Sequence, residues 1–226
     1  FYTNGTAASN ERLRILNDGK VLIGHDTNIF NTKLAVFGTD GGNSAISASR
    51  FSNNTSPSSI LLSKSRGTSI GSYTIVQNND EVGMIDFRGA DGSDNMSKVA
   101  EIKASIDGTP GSNDMPGRLT FHTTADGAST TTERVRIPSG GGLAVGTASP
   151  TRTPLHVHQP STATANIHLT NSTTGSGATD GLTIFHDGDQ SAGVFLRENL
   201  PMRFGTNNTE RVRITSGGQF QIAPSG

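Results

Sequence analysis

The chain contains no cysteine and no tryptophan, only two tyrosines, and no excess of charge of either sign. Without cysteine there is no disulfide framework, no thiolate nucleophile and no zinc–thiolate site, so stability has to come from packing or assembly. The 18 Lys plus Arg are interspersed with 19 Asp plus Glu, and the net charge of −1 leaves no basic face of the kind a nucleic-acid binder needs. No apolar run approaches the roughly 20 residues that cross a bilayer as a helix. No signal peptide is visible, and a start at Phe1 rather than Met leaves room for a native N-terminus further upstream. Hydrophobic residues are 31% of the chain and aromatics 5%, so the side chains able to build a core are few.

Glycine (28 residues), Ser, Thr and Asn fill much of the remainder. Such a composition suits either disorder or an elongated fold with a thin core shared between chains. The apolar residues decide for the second, because they are sharply patterned. Three segments align: Glu11-Arg12-Leu13-Arg14-Ile15, Glu133-Arg134-Val135-Arg136-Ile137 and Glu210-Arg211-Val212-Arg213-Ile214. Upstream of them, at varying distance, lie Phe1-Tyr2-Thr3, Phe121-His122-Thr123 and Phe204-Gly205-Thr206. Four residues after each Ile stands a glycine, at Gly19, Gly141 and Gly218, followed by Val21-Leu22-Ile23, Leu143-Ala144-Val145 and Phe220-Gln221-Ile222. Two copies continue through Gly24 and Gly146 to Leu34-Ala35-Val36 and Leu155-His156-Val157.

Each arm alternates apolar and polar residues, the period of a strand with one buried face. The module reads as a β-hairpin used three times, its aligned glycine supplying a positive φ in the turn. Strict alternation puts Leu13, Ile15, Val135, Ile137, Val212 and Ile214 on the inner face, with Glu11, Glu133 and Glu210 in the same register and the Arg pairs outside. The modules end a preceding repeat (1–24), a long repeat (25–146) and a short repeat (147–226). Further strand-like runs fall between them at 59–62, 73–76, 82–87, 100–104, 166–169, 181–185 and 193–196. Residues 97–106 fit a short helix or a strand.

Two or three apolar residues per strand cannot hold a lone hairpin together, and its open edges invite pairing. Three chains around one axis supply both a shared core and closed edges. The expected fold is therefore all-β: an elongated, intertwined homotrimeric fibre of repeated β-hairpin modules, β-prism- or β-helix-like, with little or no helix.

The run Glu-Arg-x-Arg-Ile, a Gly turn, an apolar strand ending in Gly, the linker Thr147-Ala148-Ser149-Pro150 and then Leu-His-Val resembles the repetitive shafts of bacteriophage tail fibres. The resemblance covers the three modules well and the stretches between them only in texture. It implies an intertwined trimer in the extracellular virion, joined to other tail proteins and supporting host attachment. The host receptor, a glycan by the same resemblance, would be met at a tip either within or outside this chain. It also implies a self-cleaving C-terminal chaperone that this sequence does not contain. Similar runs occur in bacterial surface adhesins and extracellular fibres, which remain the first alternative; a polysaccharide-degrading tailspike is the second.

The residues carry no enzyme signature: no nucleophile elbow, phosphate loop or dinucleotide fingerprint is present. No cofactor is expected. Candidate carboxylates for sugar cleavage, Asp86, Glu101, Asp187 and Asp189, lack the aromatic platform such clefts offer. His156 and His158 flank Val157 on one strand and are the candidate metal ligands, against exposed surface histidines as the simpler reading. Asp91-Gly92-Ser93-Asp94-Asn95 and Asp187-Gly188-Asp189 read as turns before calcium loops. One sharper idea concerns the repeated Glu: each pairs with an Arg of a neighbouring chain and sets register, against solvated surface charge of little energetic weight.

Overall fold

The structure, a computed structural model, describes residues 12–151 and 154–222. These residues form strands, turns and extended segments, with no helix among them. Two compact units divide between residues 61 and 62.

The first unit contains β1 (Leu13–Ile15), β2 (Val21–Ile23) and β3 (Leu34–Val36) in one sheet of that order. β1 and β2 form the expected antiparallel hairpin, Leu13 opposite Ile23 and Ile15 opposite Val21. Gly19 closes the turn at φ 76°, with its N–H bonded to the Leu16 carbonyl at 2.9 Å. β3 then returns parallel to β2, Leu34 opposite Val21 and Val36 opposite Ile23.

In the second unit β4 (Glu81–Gly89), β5 (Ser97–Ile106), β6 (Gly117–Thr124), β7 (Thr131–Ile137), β8 (Leu143–Val145) and β9 (Leu155–Val157) make a six-stranded sheet in sequence order. Its last three strands rebuild the first unit's sheet: β7–β8 antiparallel around Gly141 (φ 74°), then β9 parallel to β8. The joints match bond for bond. Gly24 N–H bonds the Arg12 carbonyl and Gly146 N–H the Arg134 carbonyl; Phe37 N–H bonds the Ile23 carbonyl and His158 N–H that of Val145. β10 (Ala165–Leu169), β11 (Leu182–His186) and β12 (Ala192–Leu196) form a three-stranded antiparallel sheet. β13 (Met202–Thr206), β14 (Thr209–Ile214) and β15 (Phe220–Ile222) form another, with the third hairpin turning at Gly218 (φ 81°).

Hydrogen bonding joins β3 and β9 to the hairpins that precede them, so sheets cross the positions 24/25 and 146/147 at which the repeats divide in sequence. Residues 97–106 resolve as strand β5. The runs 82–87, 100–104, 166–169 and 193–196 also fall in strands, as does 181–185 from Leu182 on, but 59–62 and 73–76 do not. Residues 45–61 run without regular structure and make no backbone–backbone hydrogen bond among the described residues, while Ile46, Phe51, Ile60 and Leu61 stand exposed. A strand is defined by its neighbour, and this stretch has none within the described residues.

The core is small. The buried apolar residues among those described are Leu22, Ala35, Val76, Ile106 and Ala144; Leu22 and Ala144 hold equivalent module positions opposite Arg14 and Arg136, and Ala35 lies beside Leu22 on β3. Glu101, Ser105, Thr120 and Thr183 are buried too. Glu101, 2% exposed, takes hydrogen bonds from Lys98 and from the Thr131 hydroxyl (2.6 Å), with Lys103 at 3.9 Å. The Lys98 bond first, then that of Thr131, holds its carboxyl at about 2, below the ordinary 4.5. A carboxyl depressed in the folded state stabilises the fold fully above its unfolded value and loses that contribution as pH falls toward the folded one. Thermal melting should therefore hold steady from about pH 7 to 5 and drop between about pH 4.5 and 2; Glu101→Gln should lower the neutral-pH midpoint and make that drop shallower.

Candidate functional site

Strand alternation sorts each sheet into two faces. In the six-stranded sheet, cross-strand partners link Ile85, Ile102, Phe121, Val135, Val145 and Val157 in one row. Phe87, Leu119, Ile137, Leu143 and Leu155 lie on the same face. This face is apolar across all six strands, yet Ile137 is 41% exposed and Phe121 37%. At its β4 end an apolar hollow of about 170 Å³ opens between Leu62, Val82, Ile85, Ile102 and Leu119. Gly83 makes room there, because a Cβ on it would lie 2.7 Å from the Leu62 side chain.

The other three sheets repeat the pattern. Leu13, Ile15, Val21, Ile23, Leu34 and Val36 share one face in the first unit. Ile167, Leu169, Leu182, Ile184, Val194 and Leu196 share one in β10–β12, and Met202, Phe204, Val212, Ile214, Phe220 and Ile222 one in β13–β15. In the last sheet Phe220 is 66% and Ile222 74% exposed. Monomeric soluble proteins rarely expose continuous apolar surface of this extent.

The opposite face of the six-stranded sheet is satisfied from within the chain. Asp86, Glu101, His122 and Glu133 follow one another across β4 to β7. Arg88 Nε donates to Asp86 at 2.8 Å, Lys98 to Glu101, and Lys103 to Glu81 at 2.8 Å. Arg136 holds Glu133 through two bonds of 2.7 Å. Only Asp86 Oδ1 is left buried without a partner on this row.

The Glu133–Arg136 pair corrects the face expected for the repeated glutamates. Residues three apart in a regular strand point to opposite faces. Here β7 pairs Val135 with Phe121 but Glu133 with His122, leaving Arg134 as an extra residue. That bulge flips the alternation and brings Glu133 to the Arg136 side. β14 does the same: Val212 faces Phe204, Glu210 faces Gly205, Arg211 is extra, and Glu210 pairs with Arg213. A third bulge, at Val99 in β5, allows the Lys98–Glu101 pair. The glutamates thus bind arginines of their own chain, which raise or hold their positive charge in return: Arg136 and Arg213 are pushed up by Glu133 and Glu210, and Glu210 is pushed down, first by Arg213. Glu11 lies outside the described residues, as does Phe1-Tyr2-Thr3; Arg14 of that module bonds the Asp26 carbonyl at 3.1 Å.

The bulged arginines have equivalent partners. Arg134 Nε donates to Thr123 Oγ1 at 3.0 Å, and Arg211 Nε to Thr206 Oγ1 at 3.1 Å. This explains the third position of Phe121-His122-Thr123 and Phe204-Gly205-Thr206. A double-mutant cycle on Glu133→Gln and Arg136→Ala, read by thermal or denaturant melting, should give a coupling of about 1–2 kcal/mol for this half-buried, two-bonded pair.

The remaining candidates sit apart. The His156 and His158 rings are 6.1 Å apart in an edge arrangement, with His156 Nδ1 buried and unpartnered. No group of three or more His, Asp or Glu close enough to share a metal ion occurs among the described residues. Asp91 accepts the Ser93 N–H (2.8 Å), the Asp94 N–H (3.2 Å) and the Ser97 hydroxyl, and Asp189 the Ser191 N–H at 2.9 Å. These carboxylates shape their own turns. No known family matches the chain, and no curated protein matches it.

Proposed function

We propose that this chain is a shaft segment of a bacteriophage tail fibre, a parallel homotrimer whose three copies turn their apolar sheet faces toward one another. The observation that carries the reading is the division of each sheet into an apolar face left open and a polar face; in the six-stranded sheet the polar face is charge-paired within the chain. At about 25 cal/mol per Å² of apolar surface, a stripe repeated along several sheets supplies substantial association energy where one hairpin supplies little. The unpaired stretch 45–61 adds backbone donors and acceptors that a neighbouring copy would satisfy. The module's resemblance to fibre shafts supplies the particle, and attachment to a host cell is the role such a shaft serves. The chemistry is mechanical; no catalytic step is assigned.

Antibody against the chain, imaged by electron microscopy on particles and on bacterial cells, tests the assignment. Labelling of fibres on virions is the expected result. Labelling of cell-surface fibres with bare virions would move the protein to the adhesins, and shortening of host polysaccharide by the purified chain would move it to the tailspikes.

A further inference from the structure

The polar face of the β10–β11–β12 sheet carries an open groove of about 310 Å³. Two rings form its floor. Phe185 and Phe195 meet edge to face, centroids 5.0 Å apart at 72°, and the Arg197 guanidinium carbon lies 5.2 Å from the Phe195 centroid. Phe185 can lie flat there because its cross-strand partner is Gly193, where a Cβ would come 2.6 Å from the ring. Phe195 remains 49% exposed. A sequence with no Trp and two Tyr advertises no aromatic platform; register alone assembles this one.

Around the rings stand Asn166, His168, Thr183 and Asp187. Asp187 accepts the Thr164 hydroxyl at 2.6 Å and the Ser191 hydroxyl at 3.4 Å, and His168 Nε2 meets the Asp180 carbonyl. The Asn166 amide, the Thr183 hydroxyl and the Arg197 guanidinium have no hydrogen-bond partner among the described residues, although all line the groove. An apolar ligand would leave these groups unpaired, at a cost for each. A simple anion would meet Arg197 but also Asp187. A pyranose ring suits the whole set: its C–H face lies on Phe195, and its hydroxyls both donate and accept among planar polar side chains. The volume is at the lower end for ligand sites, roughly 300–1,000 Å³.

We propose that this groove binds a saccharide of one or two rings. Strand alternation sets it on the side opposite Ile167, Ile184 and Val194, so assembly through the apolar face leaves it open to solvent. That accessibility rests on the trimer reading, whereas the groove's chemistry belongs to the single chain.

The test is ligand-observed NMR and calorimetric titration of the full chain with trisaccharides of glucose, galactose, N-acetylglucosamine and galacturonic acid, with light scattering run on the same samples. At least one neutral trisaccharide should bind, and Phe195→Ala and Arg197→Ala should each weaken it by about tenfold or more. Phe195→Tyr should retain binding. Should Phe195→Ala fail to fold, Arg197→Ala and Asn166→Ala at exposed positions decide. Failure of all four probes to bind overturns the proposal. So does binding indifferent to these substitutions, or binding of galacturonate alone that ignores Phe195. Phe195-dependent binding by a chain that scatters as a monomer would uphold the groove and refute the trimer.

Discussion

Replacing Phe121 by Asp will dissociate the assembled chain, while the same charge introduced at Gln221, on a polar face, will leave assembly intact. Phe121 sits in the middle of the six-strand apolar row, flanked by Ile102 and Val135. In an isolated chain it is already 37% exposed, so an Asp there keeps access to water and costs less than in a closed interior. In a trimer the change removes a buried aromatic from each copy and forces three carboxylates into a shared apolar interior. Losing the ring costs about 1.5–3 kcal/mol per chain, and burying an unpaired charge several more. The combined effect, about 5 kcal/mol or more per chain, exceeds what a fold with so small a core can absorb. Sedimentation velocity should show the Phe121→Asp chain at monomer mass and the Gln221→Asp chain unchanged. Equal behaviour of the two would mean that the apolar face meets nothing.

Gly146→Ala will destabilise the second module severely, whereas Gly141→Ala, at nearly the same backbone angle, will have a mild effect. Both glycines have positive φ, 78° and 74°. An L-residue there costs roughly 1–2 kcal/mol whatever surrounds it. Around Gly141 a Cβ meets nothing within 4 Å, so that figure is the whole expectation. At Gly146 the Cβ would lie 1.9 Å from the His158 carbonyl oxygen, at the joint where β9 swings back beside β8. Backbone cannot yield as a side-chain tip does; β9 has to separate from β8, and its hydrogen bonds go with it. A loss above about 4 kcal/mol per chain follows, or failure to fold. Gly24, with a Cβ 2.2 Å from the Phe37 carbonyl, should behave as Gly146 does. Denaturant melting of the two alanine variants measures the contrast, and equal losses would mean that the parallel return of β9 is not a fixed part of the module.

These residues also show what the sequence makes legible. The repeated turn glycines, the alternation of Leu13-Arg14-Ile15 and its copies, and the return of Leu-x-Val are local signals, and the structure places all of them in strands and turns. The face of Glu133 and Glu210 was not legible, because counting by twos assumes a regular strand. One extra residue, Arg134 or Arg211, reverses the count, and a bulge is visible only against the neighbouring strand. A retrospective signal exists: Glu and Arg three apart make no sense on a flat strand and immediate sense across a bulge. The stretches 59–62 and 73–76 look like strands for the same local reason, but among the described residues 59–62 makes no backbone–backbone hydrogen bond and 73–76 makes one, from Arg66 N–H to the Thr74 carbonyl at 3.1 Å, too little for a ladder. The groove over Phe195 depends on three strands meeting in one register and on Gly193 lying opposite Phe185, neither of which periodicity encodes.

If the open faces of these sheets close on other copies of the same chain, light scattering coupled to size-exclusion chromatography will find three chains of 23.5 kDa together, about 70 kDa in one early-eluting species that persists on dilution. A stable, well-folded species at 23.5 kDa with those apolar faces in water would show that the faces need no partner copy.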